Sequence, residues 1–347
     1  MERKTLKSIV DAIAYPAMVL SPTYRILEAN ADAANFFETE LPGLDVVRVL
    51  RQPEVKQALE RVGQAQSRQT CDIVIHSNVP RTFLVAVGPL LNGDDGTDYL
   101  LTLTDISFQL DAEKSRSTFV SNVSHELRSP LTTLMGVVET LQGPARDDER
   151  ARDRFLELMH TETRRMSRLV ADLLNLAKQE AVEHVRPTNA VSLQNILGQV
   201  VDALEASDTY AQGRLQLEMS ADVPRVRGTE DDLFEVFRNL VENALRYSPP
   251  DSPVSIRLSL EESVAPTRPD RAVVEIEDCG DGIAAEHIPH LTERFYRVDK
   301  GRSREMGGTG LGLAIVKHIV NRHRGRLGFD SEPGRGTTVT VALPAGG

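Results

Sequence analysis

The chain has 347 residues, enough for about two or three domains with ample core. Its formal net charge of −11 argues against direct nucleic-acid binding or an anionic lipid surface, because both call for a basic face. No apolar run approaches the roughly 18–20 residues that span a bilayer, and the first residues lack the charged-then-apolar pattern of a signal peptide. The sequence therefore reads as cytoplasmic, with any membrane segment lying before Met1. Cys71 and Cys279 show no CxxC or metal spacing and are expected as free thiols.

Residues 8–108 read as a small α/β domain. Apolar stretches at Ala17–Leu20 and Ile26–Ala29 flank a Ser21-Pro22-Thr23 turn, and helical patterns follow at Asp32–Phe37 and Glu54–Val62. Three strand-like runs come next, Cys71–His76, Thr82–Val87 and Tyr99–Thr104, with hairpin chemistry at Asn92-Gly93-Asp94-Asp95-Gly96. This segment, with its terminal Asp105-Ile106-Ser107, resembles a PAS sensor domain.

Residues 109–182 are helical. Phe119, Val120, Val123, Leu127, Leu131, Leu134, Val138 and Leu141 draw one apolar stripe, Gly143-Pro144 breaks it, and a second stripe runs from Phe155 to Leu174. One hairpin cannot bury two such stripes, so the sequence predicts a homodimer whose hairpins form a four-helix bundle. Residues 188–346 mix helices (Leu193–Ala206, Glu230–Tyr247, Leu311–Arg322) with strands (Leu215–Met219, Val254–Leu260, Val273–Glu277, Thr338–Leu343), which reads as an α/β sandwich. The whole is expected to be a multidomain α+β protein.

Chemistry concentrates in four places. His125 lies at the edge of the first helical stripe, where its ring should reach solvent; Glu126 is placed to hold one ring nitrogen protonated, and Ser129 shares the histidine's helical face. Pro130 is expected to bend the helix one turn after His125. In the helix Glu230–Tyr247, Asn239, Asn243 and Arg246 form a polar stripe on an apolar element, with Asn243 a neutral oxygen ligand suited to Mg²⁺ and Arg246 a phosphate partner. Asp278-Cys279-Gly280-Asp281-Gly282-Ile283 follows a strand and offers a carboxylate for an adenine amine beside glycines. Gly307-Gly308-Thr309-Gly310-Leu311-Gly312-Leu313 opens a helix where backbone N–H groups can meet phosphates. Arg294, Arg297, Lys300, Arg302 and Arg304 make a basic lid between the two.

Ser-His-Glu-Leu-Arg-Ser-Pro-Leu, residues 124–131, resembles the H-box of HisKA-type sensor histidine kinases, with Ser129 where threonine is usual. The later stretches resemble the N, G1, F and G2 boxes of the ATPase domain of the histidine-kinase, gyrase and Hsp90 type, and Gly334-Arg-Gly-Thr337 resembles a G3 box. Cys279 and Arg246 depart from the common Asn and Lys. Leu291–Lys300, Gly307–Arg324 and Glu139–Pro144 are similar to phosphate-regulon sensor kinases. The resemblance implies ATP and Mg²⁺ as cofactors, with ATP contacts from Asn239, Asn243, Arg246, Tyr247, Asp278, Gly280, Gly282, Ile283, Arg297, Gly308, Thr309, Gly310, Leu311, Gly312 and Thr337. It implies autophosphorylation of His125, transfer to an aspartate of a separate response regulator (a DNA-binding transcription factor for the phosphate-regulon type), and dephosphorylation of that regulator. The alternatives are a water-directed ATPase, for which Asn239 stands where a carboxylate base is needed, and a catalytically inactive scaffold.

Overall fold

The computed structural model describes residues 3–65, 67–76, 80–93, 96–146, 148–182, 185–207, 212–220, 222–263, 269–299 and 308–346. The chain forms two compact units, residues 1–118 and 119–347.

The first unit begins with α1 (Arg3–Asp11), which the sequence pattern did not disclose, and continues through β1 (Ala17–Leu20) and β2 (Ile26–Ala29). Three helices follow, α2 (Ala31–Phe37), α3 (Val46–Val49) and α4 (Pro53–Ala65), and then β3 (Gln69–Ile75), β4 (Arg81–Gly93) and β5 (Gly96–Asp105). The strands make one antiparallel sheet in the order β2-β1-β5-β4-β3. The expected hairpin turn falls partly on residues 94–95, outside the described residues.

Alternation along β1 explains the layering, since successive side chains point to opposite faces. Met18 and Leu20 pack with Val55, Leu59 and Val62, which recur at helical spacing on α4, whereas Ala17 and Val19 pack with Leu6 and Val10 of α1. Asn30, 3% exposed, locks the two layers together. Its side-chain oxygen accepts from the N–H groups of Ala33 (2.9 Å), capping α2, and Ala17 (3.1 Å). Its amide donates to the carbonyls of Val10, Ile13 and Tyr15. Asn30→Ala strands these groups and is expected to cost about 2–4 kcal/mol. Faster amide exchange in β1 and β2 of the full chain is the check.

The second unit takes in α5 (Ser107–Gln142) from Phe119 onward, and α6 (Glu149–Val182). Pro130 lies inside α5, which is helical on both sides of it. Then come β6 (Ala190–Val191), α7 (Leu193–Ser207), β7 (Leu215–Met219), β8 (Val226–Arg227) and α8 (Glu230–Tyr247). The chain finishes with β9 (Val254–Glu261), β10 (Arg271–Asp278), a 3-10 turn (Ile288–His290), α9 (Gly312–Arg322), β11 (Arg326–Glu332) and β12 (Gly336–Pro344). The mixed sheet runs β11-β12-β10-β9-β7, parallel only between β7 and β9. β6 and β8 form a separate short pair.

Ala272, Val274 and Ile276 of β10 point into the core, which also holds Val236, Phe237, Leu240, Val241 and Ala244 of α8 and Ile315, Val316 and Ile319 of α9. Leu169 and Leu176 of α6 belong to this same core. Among the described residues no helix is long and apolar enough to cross a membrane.

At the far end of α9 sits a buried polar cluster. Arg322 donates to Asp232 (2.7 Å) and to the Val185 carbonyl (2.7 Å), and Gln179 donates to the other Asp232 oxygen (3.0 Å). His323, beside them, accepts from the Thr229 N–H (3.2 Å) at Nε2 while Nδ1 faces the Ile319 carbonyl (2.8 Å). Both bonds are satisfied by the neutral ring. Burial lowers its pKa, opposed by the Ile319 bond and by Asp232, while Arg322 lowers it further. A lowered histidine pKa means that the folded chain binds fewer protons than the unfolded one, so stability declines as pH falls below about 6.5. His323→Gln should show a shallower loss of stability than the native chain between pH 7 and 5.5 in urea denaturation.

Candidate functional site

A cavity of about 600 Å³ opens where α8, the end of β10 and the start of α9 meet. The apolar side of α8 is committed to the core, which leaves its other side to line this space. Asn239, Asn243 and Arg246, each half-buried, do so, as does Tyr247. Asn239 is steadied by a bond from its amide to the Glu235 carbonyl (2.9 Å).

Asp278 arrives as the last inward-pointing residue of β10 and is 8% exposed. Burial pushes its carboxyl up, countered by backbone N–H groups of Gly280 (2.8 Å) and Thr337. The loop beyond it contributes Gly280, Gly282 and Ile283 to the cavity, and Thr337 of β12 closes the floor, its hydroxyl 2.9 Å from that of Ser331. Gly336, at φ 95°, lies so close to the Asp278 carbonyl that a Cβ there would overlap it. The absence of a side chain keeps β12 against the strand that carries the carboxylate.

The glycine-rich turn completes the site. Gly308, Thr309, Gly310 and Gly312 line the cavity, and Gly310 (φ 74°) backs onto Phe295. Leu311 does not line it. That side chain is fully buried in the core and anchors the turn, because an apolar residue at the mouth of α9 gains more from burial than from contact with a polar ligand. α9 accordingly starts at Gly312, one residue later than the sequence pattern indicated.

The expected basic lid is only partly in view, since Lys300, Arg302, Arg304 and Gly307 lie outside the described residues. Arg294 and Arg297 are engaged with the hairpin. Arg294 pairs with Glu180 of α6 (2.6 Å) and lies over the Phe119 ring. Arg297, which also lines the cavity, donates to the Gly308 carbonyl (2.5 Å) and sits 3.6 Å from Glu126.

On α5, His125 is exposed, as is Ser129 one turn later. Glu126 departs from expectation. Its carboxylate accepts from Arg165 of α6 (2.9 Å) and faces Arg297, and no hydrogen bond to His125 is found among the described residues. The reason is electrostatic: two guanidinium groups outbid an imidazole for a partly buried carboxylate. Sequence reading also missed Arg168, Ala171 and Asp172 of α6, which wall the cavity. A charged residue amid the leucines of an amphipathic stripe, as Asp172 is, was the available signal. Asn243 is the one metal ligand read from the sequence, and among the described residues no group of three or more His, Cys, Asp or Glu could hold a metal. A neutral oxygen of this kind fits Mg²⁺ carried in on a polyphosphate.

A glycine-lined cavity on a mixed sheet and a helical hairpin with an exposed histidine thus lie within one compact unit. The His Kinase A (phospho-acceptor) domain matches residues 115–182, and the histidine kinase-, DNA gyrase B- and HSP90-like ATPase matches residues 228–347. The phosphate regulon sensor protein PhoR of Pseudomonas aeruginosa is 33% identical over 97% of this chain and 75% of its own length. The sensor protein kinase WalK of Staphylococcus aureus is 36% identical over 72% of this chain, covering 58% of one such protein and 40% of another. Among solved structures, the histidine kinase ThkA in complex with the response regulator protein TrrA aligns over 98% of both chains at 18% identity, with a TM-score of 0.49. The chain belongs to the sensor histidine kinase family.

Asp278→Asn replaces an acceptor-only carboxylate with an amide and is expected to weaken ATP binding about tenfold while leaving the fold intact. Calorimetric titration alongside circular dichroism checks it.

Proposed function

We propose that the protein takes the γ-phosphoryl group of Mg-ATP onto His125 and passes it to an aspartate of a separate response regulator. The observation that carries this reading is the pairing, within one compact unit, of a 600 Å³ glycine-lined cavity with an exposed histidine. In the reaction a neutral imidazole nitrogen attacks the γ-phosphorus in line, the bond to the β–γ bridging oxygen breaks, and ADP leaves. Glu126 would hold the proton on the other ring nitrogen, which requires its carboxylate to exchange Arg165 and Arg297 for His125. Mg²⁺, held on the nucleotide phosphates and by Asn243, would neutralise polyphosphate charge. Arg246 and Arg297 would add to that neutralisation, Asp278 would accept the adenine amine, and Gly308–Gly312 would cradle the phosphates.

The remaining features support a finer reading. Exposed Val120, Leu131, Met135, Leu156, Val170 and Leu174 on the hairpin favour a homodimer. The strand order β2-β1-β5-β4-β3, with helices between β2 and β3, supports a PAS-type sensor over residues 8–108, followed by a phosphotransfer domain at 109–182 and an ATPase domain at 188–346. Ser129 supports a hydroxyl-assisted dephosphorylation of the regulator. The likeness to a phosphate regulon sensor favours phosphate-limitation signalling through a DNA-binding regulator, with this chain working on the cytoplasmic side.

The test is label transfer from γ-labelled ATP with Mg²⁺. Acid-labile, base-stable label is expected on the native chain and absent from His125→Ala, and it should chase onto a receiver domain bearing an aspartate. Equal labelling of both chains would sink the assignment to His125.

A further inference from the structure

The cavity has one wall that the ATPase sheet and helices do not supply. Asp172 of α6 accepts a hydrogen bond from the Thr309 hydroxyl at 2.6 Å, and the same hydroxyl accepts from the Leu311 N–H at 3.3 Å. Asp172 is partly buried, and the cations around it are Arg168 on its own helix and Arg238 and Arg246 on α8. Burial raises its carboxyl, against the Thr309 bond and those three charges. A carboxylate carried by the hairpin therefore faces the Thr309 turn and Arg246, which the reading above assigns to polyphosphate, and the inference rests on that reading. Two anions at one set of donors repel in a partly desolvated site, so one has to leave.

We propose that Asp172 is a built-in competitor for the phosphate end of ATP, so that polyphosphate binding and the docking of α6 on the ATPase domain oppose each other. Asp172 belongs to a stripe on α6 that makes the docking contacts: Leu169 and Leu176 are buried, Asn175 donates to Glu235, and Gln179 donates to Asp232. Within that stripe Asp172 is the member that lines the cavity. Adenine binding at Asp278 leaves the contact undisturbed; arrival of the phosphates breaks it. Because coupling between two binding events is reciprocal, whatever loosens α6 raises nucleotide affinity by the same factor.

The experiment is calorimetric titration of the full chain, Asp172→Asn and Asp172→Ala with Mg-ATP and with adenosine, which lacks phosphates. Both variants are expected to bind Mg-ATP about fivefold more tightly than the native chain and adenosine equally well. In the native chain Mg-ATP, and not adenosine, should speed amide exchange across residues 169–180. Unchanged or weaker Mg-ATP binding in both variants overturns the inference, as does unchanged exchange at 169–180 should a variant fail to fold. A native chain that binds neither ligand overturns the pocket reading itself, and the competitor with it.

Discussion

The second unit depends on a conflict within α8. One side of this helix must be apolar enough to bury Leu233, Val236, Phe237, Leu240 and Val241 against the sheet, while Asn239, Asn243 and Arg246 must stay polar. A buried unpaired polar group costs more than the hydrophobic packing of one neighbour returns, so the polar side needs an opening. The cavity is that opening. Everything that shapes it can be understood as holding the space beside α8: β10 ending on an inward Asp278, glycines admitting close backbone approach, and Leu311 sunk into the core to fix the turn above.

The hairpin's contacts with the ATPase domain are of another kind. Arg294 with Glu180 and Arg297 with Glu126 are partly desolvated ion pairs, Thr309 donates to Asp172, and Gln179 reaches Asp232 from a fully buried position. Such pairs contribute little net stability, because desolvation offsets the Coulomb gain, but breaking one leaves a charge stranded. They define one arrangement sharply while keeping it within a few kcal/mol of others. An interface meant to be exchanged is better built this way than from leucine alone.

Much of this was legible in the sequence, and the reasons are specific. Both ends of α8, Glu230 and Tyr247, are legible because periodicity and a polar stripe coincide there, and nearly all the residues named for nucleotide contact line the cavity. Leu311 was misplaced because a motif marks a stretch of chain, not the direction of each side chain. β11 went unseen because its residues alternate between partial burial and exposure, giving no apolar run, and α1 because it is short and largely polar. The Glu126 pairings could not be read at all, since Arg165 and Arg297 are 39 and 171 positions away along the chain. Local spacing finds what one helix brings together. It is silent about which of several charges meet when three elements converge.

α6 presents two opposed faces. At about 100° per residue, Leu169, Asp172, Asn175, Leu176 and Gln179 fall on one side of the helix, and Leu156, Val170 and Leu174 fall on the opposite side. The first set grips the ATPase domain, and the second set is exposed apolar surface. With a second hairpin covering that surface, as proposed above, α6 would be a rod held from two opposed sides, which tolerates tilting poorly and twisting least of all. At the roughly 5 Å radius of a helix with its side chains, an axial turn of about 30° moves a side chain by roughly 2–3 Å, enough to draw Asp172 off Thr309 and misalign the apolar side in the same stroke. Such a helix is suited to report torque, and the stroke it needs is smaller than the width of one side chain.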